Sequence, residues 1–239
     1  MARHLPTPLD VLTAHIHGLL GQRRLACAAA EIPPRLAENL VEAAMYMFAT
    51  SRRGDWPRID VSGQMHIGAA LAGGRGAVLW NGYFAFDSLI TKMALHRAGL
   101  AVSHLSHPGH SFSSSRIGMR VLNKAVRSLE DRYLGERVLL SLDNPVGAMR
   151  TLQERLRRNG MVSITARNAA QRPAEERFLD RTIELATSAP DLAHATGAVL
   201  LPVFTTRTGT DQFEMVIEDP IAIDGSEPRR EASRQAVTA

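Results

Sequence analysis

From Ile59 onward the chain alternates short apolar runs with longer stretches whose apolar residues recur at helical spacing, and this alternation narrows the possible folds more than any other feature of the sequence. The runs IDVSG, AVLWN, AVSHL, RVLLSL, MVSIT, AVLLPVF and FEMVIE predict strands. Helices are predicted between them over 65–72, 88–98, 116–129, 146–160 and 189–196. Strands this apolar need cover on both faces, so the pattern predicts an α/β domain with a mainly parallel sheet flanked by helices.

Residues 1–58 read as a helical region, with apolar spacing over 9–20 and 34–50 and a Pro33-Pro34 helix start, followed by the polar linker SRRGDWPR. The α/β domain spans 59–223. The polar segment 224–239 begins a further helix. QERLRR ends with a basic turn and Gly160, the ordinary close of a helix.

Only two of the 28 basic residues, Lys92 and Lys124, are lysines, and the formal net charge is +4. Guanidinium forks suit phosphate and carboxylate oxygens, which leaves phosphorylated lipid, nucleic acid and anionic membrane surfaces open as partners. Aromatic residues make up only 5% of the chain, and no helix-turn-helix is visible, so nucleic acid is disfavoured. Cys27 is the single cysteine, which excludes an internal disulfide and a thiolate metal cluster; it reads as a packing residue. No run approaches the roughly 18 to 20 apolar residues of a membrane span, so the chain is read as soluble or peripheral.

Ligands of such sheets bind beyond the carboxyl ends of the strands, here 81–87, 106–115, 143–145, 165–177 and 205–208. Around these positions, IDVSGQMHIGAALAGGRGAVLWNGYF and FLDRTIELATSAPDLAHATGAVLLPVFTTRTGTDQFEMVIEDPI resemble, in order and spacing, the bacterial lipid A biosynthesis (lauroyl/myristoyl) acyltransferases of the lysophospholipid-acyltransferase-like superfamily. The resemblance covers about 59–221. It implies an acyltransferase that moves a fatty acyl chain from an acyl carrier protein or CoA thioester to a hydroxyl of a lipid or glycolipid such as a lipid A precursor. It further implies an anionic membrane surface at the cytoplasmic face of a bacterial inner membrane, and no cofactor. Such proteins carry a hydrophobic N-terminal anchor and a further C-terminal helix, so this sequence is expected to be a truncated piece of that plan.

In that family a His takes the proton of the acceptor hydroxyl and an acidic residue five positions on orients it. Tyr83 stands at the His position and Ser88 at the acidic one, with Asp87 one residue early. A phenol of pKa near 10 is about 99.9% protonated at pH 7 and makes a poor base. Asp87 is expected to face about 100° away from Ser88 on a helix. Where the family has an acid after MVSIT, this chain has Arg167.

The loop SHLSHPGHSFSSSR follows the next strand in order, which as a parallel neighbour of AVLWN would end at the same edge and bring the loop over Tyr83; it offers replacement bases in His104, His107 and His110, with His110 favoured because Pro108-Gly109 turns the chain back. No carboxylate or Cys accompanies them to suggest a metal site. The alternatives are an exposed polar loop, or a relative that has lost its chemistry and only binds acyl lipid. Arg116 and Arg120, on one helix face and joined at wider spacing by Arg127, are candidates for an acceptor's phosphate or carboxylate, or form a solvated face. Asp143 and the pair Thr187-Ser188 read as helix caps.

Overall fold

The computed structural model describes residue 14 and residues 31–53, 57–107, 122–140, 145–166, 173–179 and 181–239. Cys27, His110, Arg116, Arg120, Asp143 and Arg167 lie outside the described residues, as does the predicted helix over 9–20 apart from Ala14, which is helical and exposed.

Among the described residues, helices run over Ile32–Arg53 (α1), Gln64–Ala72 (α2), Asp87–Arg97 (α3), Leu122–Asp131 (α4), Pro145–Arg157 (α5), Ser188–Thr196 (α6) and Arg229–Thr238 (α7). The strands are Arg58–Ser62 (β1), Ala77–Asn81 (β2), Val102–Ser106 (β3), Glu136–Leu139 (β4), Met161–Thr165 (β5), Pro173–Phe178 (β6), Arg181–Ala186 (β7), Val199–Gly209 (β8) and Gln212–Ile217 (β9). Seven form one sheet in the order β1-β9-β8-β2-β5-β3-β4. The five from β8 to β4 are parallel. β9 turns back antiparallel on β8, and β1 lies parallel to β9, so the sheet is mainly parallel but mixed.

The apolar strand runs explain the layers. Successive residues of β2, Val78 and Leu79, enter opposite cores. Val78 packs with Leu152 and Leu156 of α5, Leu192 of α6 and Ala236 of α7. Leu79 packs with Ile67 and Ala70 of α2 and Ala94 and Leu95 of α3. α3 is buried from Leu89 to Leu95 because α1 and α4 cover its outer side through Ala43, Met47, Val126 and Leu129. A helix enclosed all round cannot be amphipathic, which is why its sequence lacks a clean polar face.

Two departures from the sequence reading bear on the site. β5, not β3, is the neighbour of β2, so β3 ends two strand spacings away, about 10 Å, and its following loop does not start beside Tyr83. A separate antiparallel hairpin, β6 and β7, occupies part of the region read as a loop. Its PAEERF strand is charged and half exposed, and so gives no apolar run to recognise.

Gly63 joins β1 to α2 at φ 75°, and a Cβ there would sit 1.8 Å from the Ile217 carbonyl oxygen of β9. Gly63→Ala is therefore expected to cost about 2–3 kcal/mol, from left-handed strain plus overpacking. That corresponds to a fall of roughly 5–10 °C in melting temperature. Gly74 (φ 69°) has open space around it, so Gly74→Ala carries the strain alone, about 1–2 kcal/mol, and should fall by about half as much in the same thermal scan.

Candidate functional site

At the carboxyl ends of the central strands the inward-facing residues change from apolar to polar. On the face covered by α2 and α3, β2 runs Ala77, Leu79, then Asn81; β5 runs Met161, Ser163, Thr165; β3 runs Val102, His104, Ser106; and β8 runs Leu201, Val203, Thr205. The chain leaves β2 and β3 toward α3 and α4 on this face, and after β5 continues through β6 and β7 to α6 on the other. Strands that send their connections to opposite faces leave a crevice at their carboxyl ends, the usual ligand position in such sheets. The polar floor lies at that edge, with Asn81, His104, Ser106, Ser163 and Thr205 all buried.

Most of the floor is paired. The His104 Nδ1 and Ser163 Oγ are 2.7 Å apart across β3 and β5. Thr205 Oγ1 lies 2.6 Å from Thr91 Oγ1 of α3, and Thr91 donates to the Asp87 carboxylate at 2.8 Å. Asp87, in the first turn of α3, is only 2% exposed. Burial pushes its pKa up to about 7, against the opposing Thr91 hydrogen bond and Lys92 charge, with Glu130 adding to the rise.

One turn along α3 and facing α4 is a buried ion network. Glu130, fully buried at the end of α4, accepts from Lys92 at 3.2 Å and from Arg137 of β4 at 2.8 Å. The Ser88 hydroxyl donates to the other Glu130 oxygen and receives a hydrogen bond from Lys92 at 3.2 Å. Arg137 also reaches Ser106 at 2.9 Å and Asp131 at 2.6 Å, tying the network to the floor. Burial pushes the Lys92 ammonium below its ordinary range, with Glu130 opposing.

Beyond the end of β2, residues 82–86 form a short turn that presents aromatic rings. Tyr83 is 65% exposed and Phe84 47%, and the Phe84 ring meets Phe204 of β8 edge-on at 6.2 Å. A Cβ on Gly82 would lie 2.6 Å from the Phe84 ring and 2.9 Å from that of Phe204, so a glycine is needed for these rings to close over the strand end. The result is an apolar rim at the end of β2, on the face of the sheet opposite the polar floor, since Phe204 alternates with Val203 and Thr205.

The residues singled out in the sequence fall into three places. Tyr83 is on the rim. Asp87 and Ser88 both follow it in the first turn of α3, turned apart as helical rotation requires: Asp87 toward β8, Ser88 toward α4. His107 is exposed just past β3, whereas His104 is inside the strand and not in the loop. Arg127 donates to the Asn123 carbonyl of its own helix at 3.2 Å. Thr187 holds the N-cap position of α6, but its hydroxyl donates to Asp191 at 3.0 Å in place of capping a backbone N–H.

Sequence reasoning missed Asn81, Thr91, Lys92, Glu130, Arg137, Ser163 and Thr205. For Asn81, Ser163 and Thr205 the signal is a polar residue at an inward position toward the carboxyl end of an otherwise apolar run. For Lys92 it was a lone charge inside SLITKMAL, where solvent exposure is impossible for a helix that apolar. No protein-family model matches the chain, and no curated protein matches it in sequence.

Proposed function

We propose that the chain is an acyltransferase-like protein of the lysophospholipid-acyltransferase type, whose carboxyl-edge crevice brings an acyl thioester of acyl carrier protein or CoA to a hydroxyl of a lipid or glycolipid at an anionic membrane surface. The observation that carries this reading is the carboxyl edge of the central strands, where the buried chain Asp87–Thr91–Thr205 lies beside a turn that exposes Tyr83 and Phe84. Among the described residues no helix is long and apolar enough to cross a membrane, so contact with the bilayer would come from the surface.

The reaction requires a group to accept the hydroxyl proton while the oxygen attacks the thioester carbonyl. The carbon–sulfur bond then breaks and the thiolate leaves, to be protonated in turn. Tyr83 is a weak base, and Ser88 is held by Glu130 and Lys92. Asp87 is the carboxyl whose pKa lies near 7, where a proton acceptor works best. Its Thr91 and Thr205 hydroxyls form a chain through which a substrate proton can reach it.

A second reading is favoured by the depth of Asp87 and by the engagement of Ser88: the site holds acyl lipid and performs no transfer. Transfer of a labelled acyl chain separates the two. In the first reading wild type turns over, and Asp87→Asn loses at least about 100-fold, the usual contribution of a general base. Tyr83→Phe stays within a few fold of wild type. No turnover by wild type, with acyl-lipid binding intact and activity appearing in Tyr83→His, would establish the second reading.

A further inference from the structure

β1 is the outermost strand on its side of the sheet, paired with β9 and with no other strand among the described residues. In a parallel ladder a residue turns both its N–H and its C=O to one neighbour, and the next residue turns both the other way. The Arg58 N–H donates to the Asp211 carbonyl at 3.0 Å, so Arg58, Asp60 and Ser62 serve β9. The N–H and C=O groups of Ile59 and Val61 therefore point outward, a row of donors and acceptors on a free edge.

That edge opens on a groove. β1 runs antiparallel to the five strands from β8 to β4, so it ends at their amino edge, where α3 also ends before β3 begins. Between them lies a groove of about 400 Å³, lined by Ile59, Asp60 and Val61 on one side and by Ala94, Arg97 and Ala98 on the other. Three consecutive strand residues can line one groove only if it follows the strand's edge, because their side chains alternate between faces. The alanines, one helical turn apart, leave room for an incoming side chain. Arg97 is exposed and makes no ion pair or hydrogen bond among the described residues, so its charge is open to a carboxylate.

The first candidate for such an edge is a second copy of the same strand. Antiparallel self-pairing that uses all the free groups sets Ile59 opposite Val61 of the copy and Asp60 opposite Asp60, about 4.5 Å apart at Cα. Like charges placed directly opposite work against pairing. Arg58 touches Asp60 at 3.3 Å, but both are exposed and solvent screens the pair. A different chain with a basic residue opposite Asp60 turns that repulsion into attraction. Its residues on either side then point into the groove, where an apolar one fits over Ala94 beside Ile59 and an acidic one reaches Arg97 beside Val61.

We propose that the β1 edge is a docking site for an extended segment of a partner protein, which adds an eighth strand and presents apolar, basic and acidic side chains opposite Ile59, Asp60 and Val61. The site is at the opposite edge of the sheet from the polar floor and is independent of the acyl-transfer reading.

The probes are the heptapeptide Ser-Thr-Val-Lys-Glu-Thr-Ser and its reverse, one for each strand direction, titrated into isotope-labelled protein. One of them is expected to bind saturably with a Kd below about 1 mM, shifting the Ile59 and Val61 amide resonances and slowing their hydrogen exchange. The same peptide N-methylated at the amide that faces the edge keeps every side chain and should bind about tenfold more weakly, as the loss of a backbone hydrogen bond requires. Arg97→Ala, a change at an exposed residue, should weaken the parent peptide by about tenfold and leave its Gln-for-Glu analogue unaffected. Binding of neither peptide, an affinity that N-methylation or Arg97→Ala leaves unchanged, or shifts confined to other elements would overturn the proposal. So would a dimer of the protein that protects the same amides, since a second copy would then occupy the edge.

Discussion

Glu130→Ala is expected to destabilise the protein by about 3–5 kcal/mol, the usual cost of removing one partner from a buried ion network. Glu130 is fully buried and holds Lys92 at 3.2 Å, Arg137 at 2.8 Å and the Ser88 hydroxyl. Without it, Arg137 keeps Asp131 at 2.6 Å, but among the described residues the Lys92 ammonium keeps the Ser88 hydroxyl and the charge of Asp87. A charge left this way in a low-dielectric interior either draws water in or gives up its proton. Burial already depresses the Lys92 pKa, so the second route is open, and the loss should shrink as pH rises. Lys92→Met combined with Glu130→Leu removes both charges and should recover much of the stability, because apolar side chains of similar volume carry no desolvation penalty. Denaturant unfolding of Lys92→Met, of Glu130→Leu and of the double closes a thermodynamic cycle. A loss below about 1 kcal/mol in Glu130→Ala would mean that the network is hydrated, like a surface ion pair, and does not fix α4 against α3.

That network also shows where the sequence was readable and where it was not. Strands such as AVLWN and MVSIT are apolar at nearly every position and bounded by glycine and helical spacing, so periodicity finds them to within a residue or two. The spatial order of the strands is a different matter. Nothing local in β3 or β5 says that β5 inserts between β2 and β3, because that is settled by which helices cover which face. The histidine loop was consequently read as a neighbour of Tyr83 when its strand ends about 10 Å away. The hairpin of β6 and β7 was invisible for the opposite reason: its strands are charged and largely exposed, and their pairing rather than their burial defines them. Of the site, Asp87 and Ser88 were legible because a motif pointed to them, and their divergence followed from helix geometry. Glu130 was not, since it lies 42 residues from the hydroxyl it accepts and has nothing in its own stretch to mark it as buried.

Asp87→Asn is expected to stabilise the protein at pH 8 while leaving it nearly unchanged at pH 4, and to do so by up to about 4 kcal/mol. The sign follows from the direction of the shift. Asp87 has a folded pKa near 7 against an ordinary 3.8, so between about pH 4 and pH 7 the folded state holds a proton that the unfolded chain releases. Stability falls as pH rises through that window and is flat above it; three units at about 1.4 kcal/mol each give the ceiling. The groups facing the carboxyl are Thr91, Thr205 through Thr91, Lys92 and Glu130. Lys92 acts in the opposite sense, since an ammonium pushed down by burial makes stability rise with pH between its lowered value and about 10.5. Comparing variant with wild type at each pH cancels that contribution. Unfolding free energies measured from pH 4 to 8 should therefore slope downward in wild type and much less in Asp87→Asn. Parallel curves, or a variant less stable than wild type at pH 8, would show that Asp87 ionises at an ordinary carboxylate pH and that its burial is relieved by water. The same substitution carries the opposite expectation for function: under the transfer reading it removes the proton acceptor. A carboxyl that weakens the fold at the pH where it ionises is retained only if its ionised form is used, and stability gained together with activity lost is the pattern of a residue kept for chemistry. Stability gained with acyl-lipid binding untouched and no transfer in either protein would instead mark Asp87 as a remnant in a site that only binds.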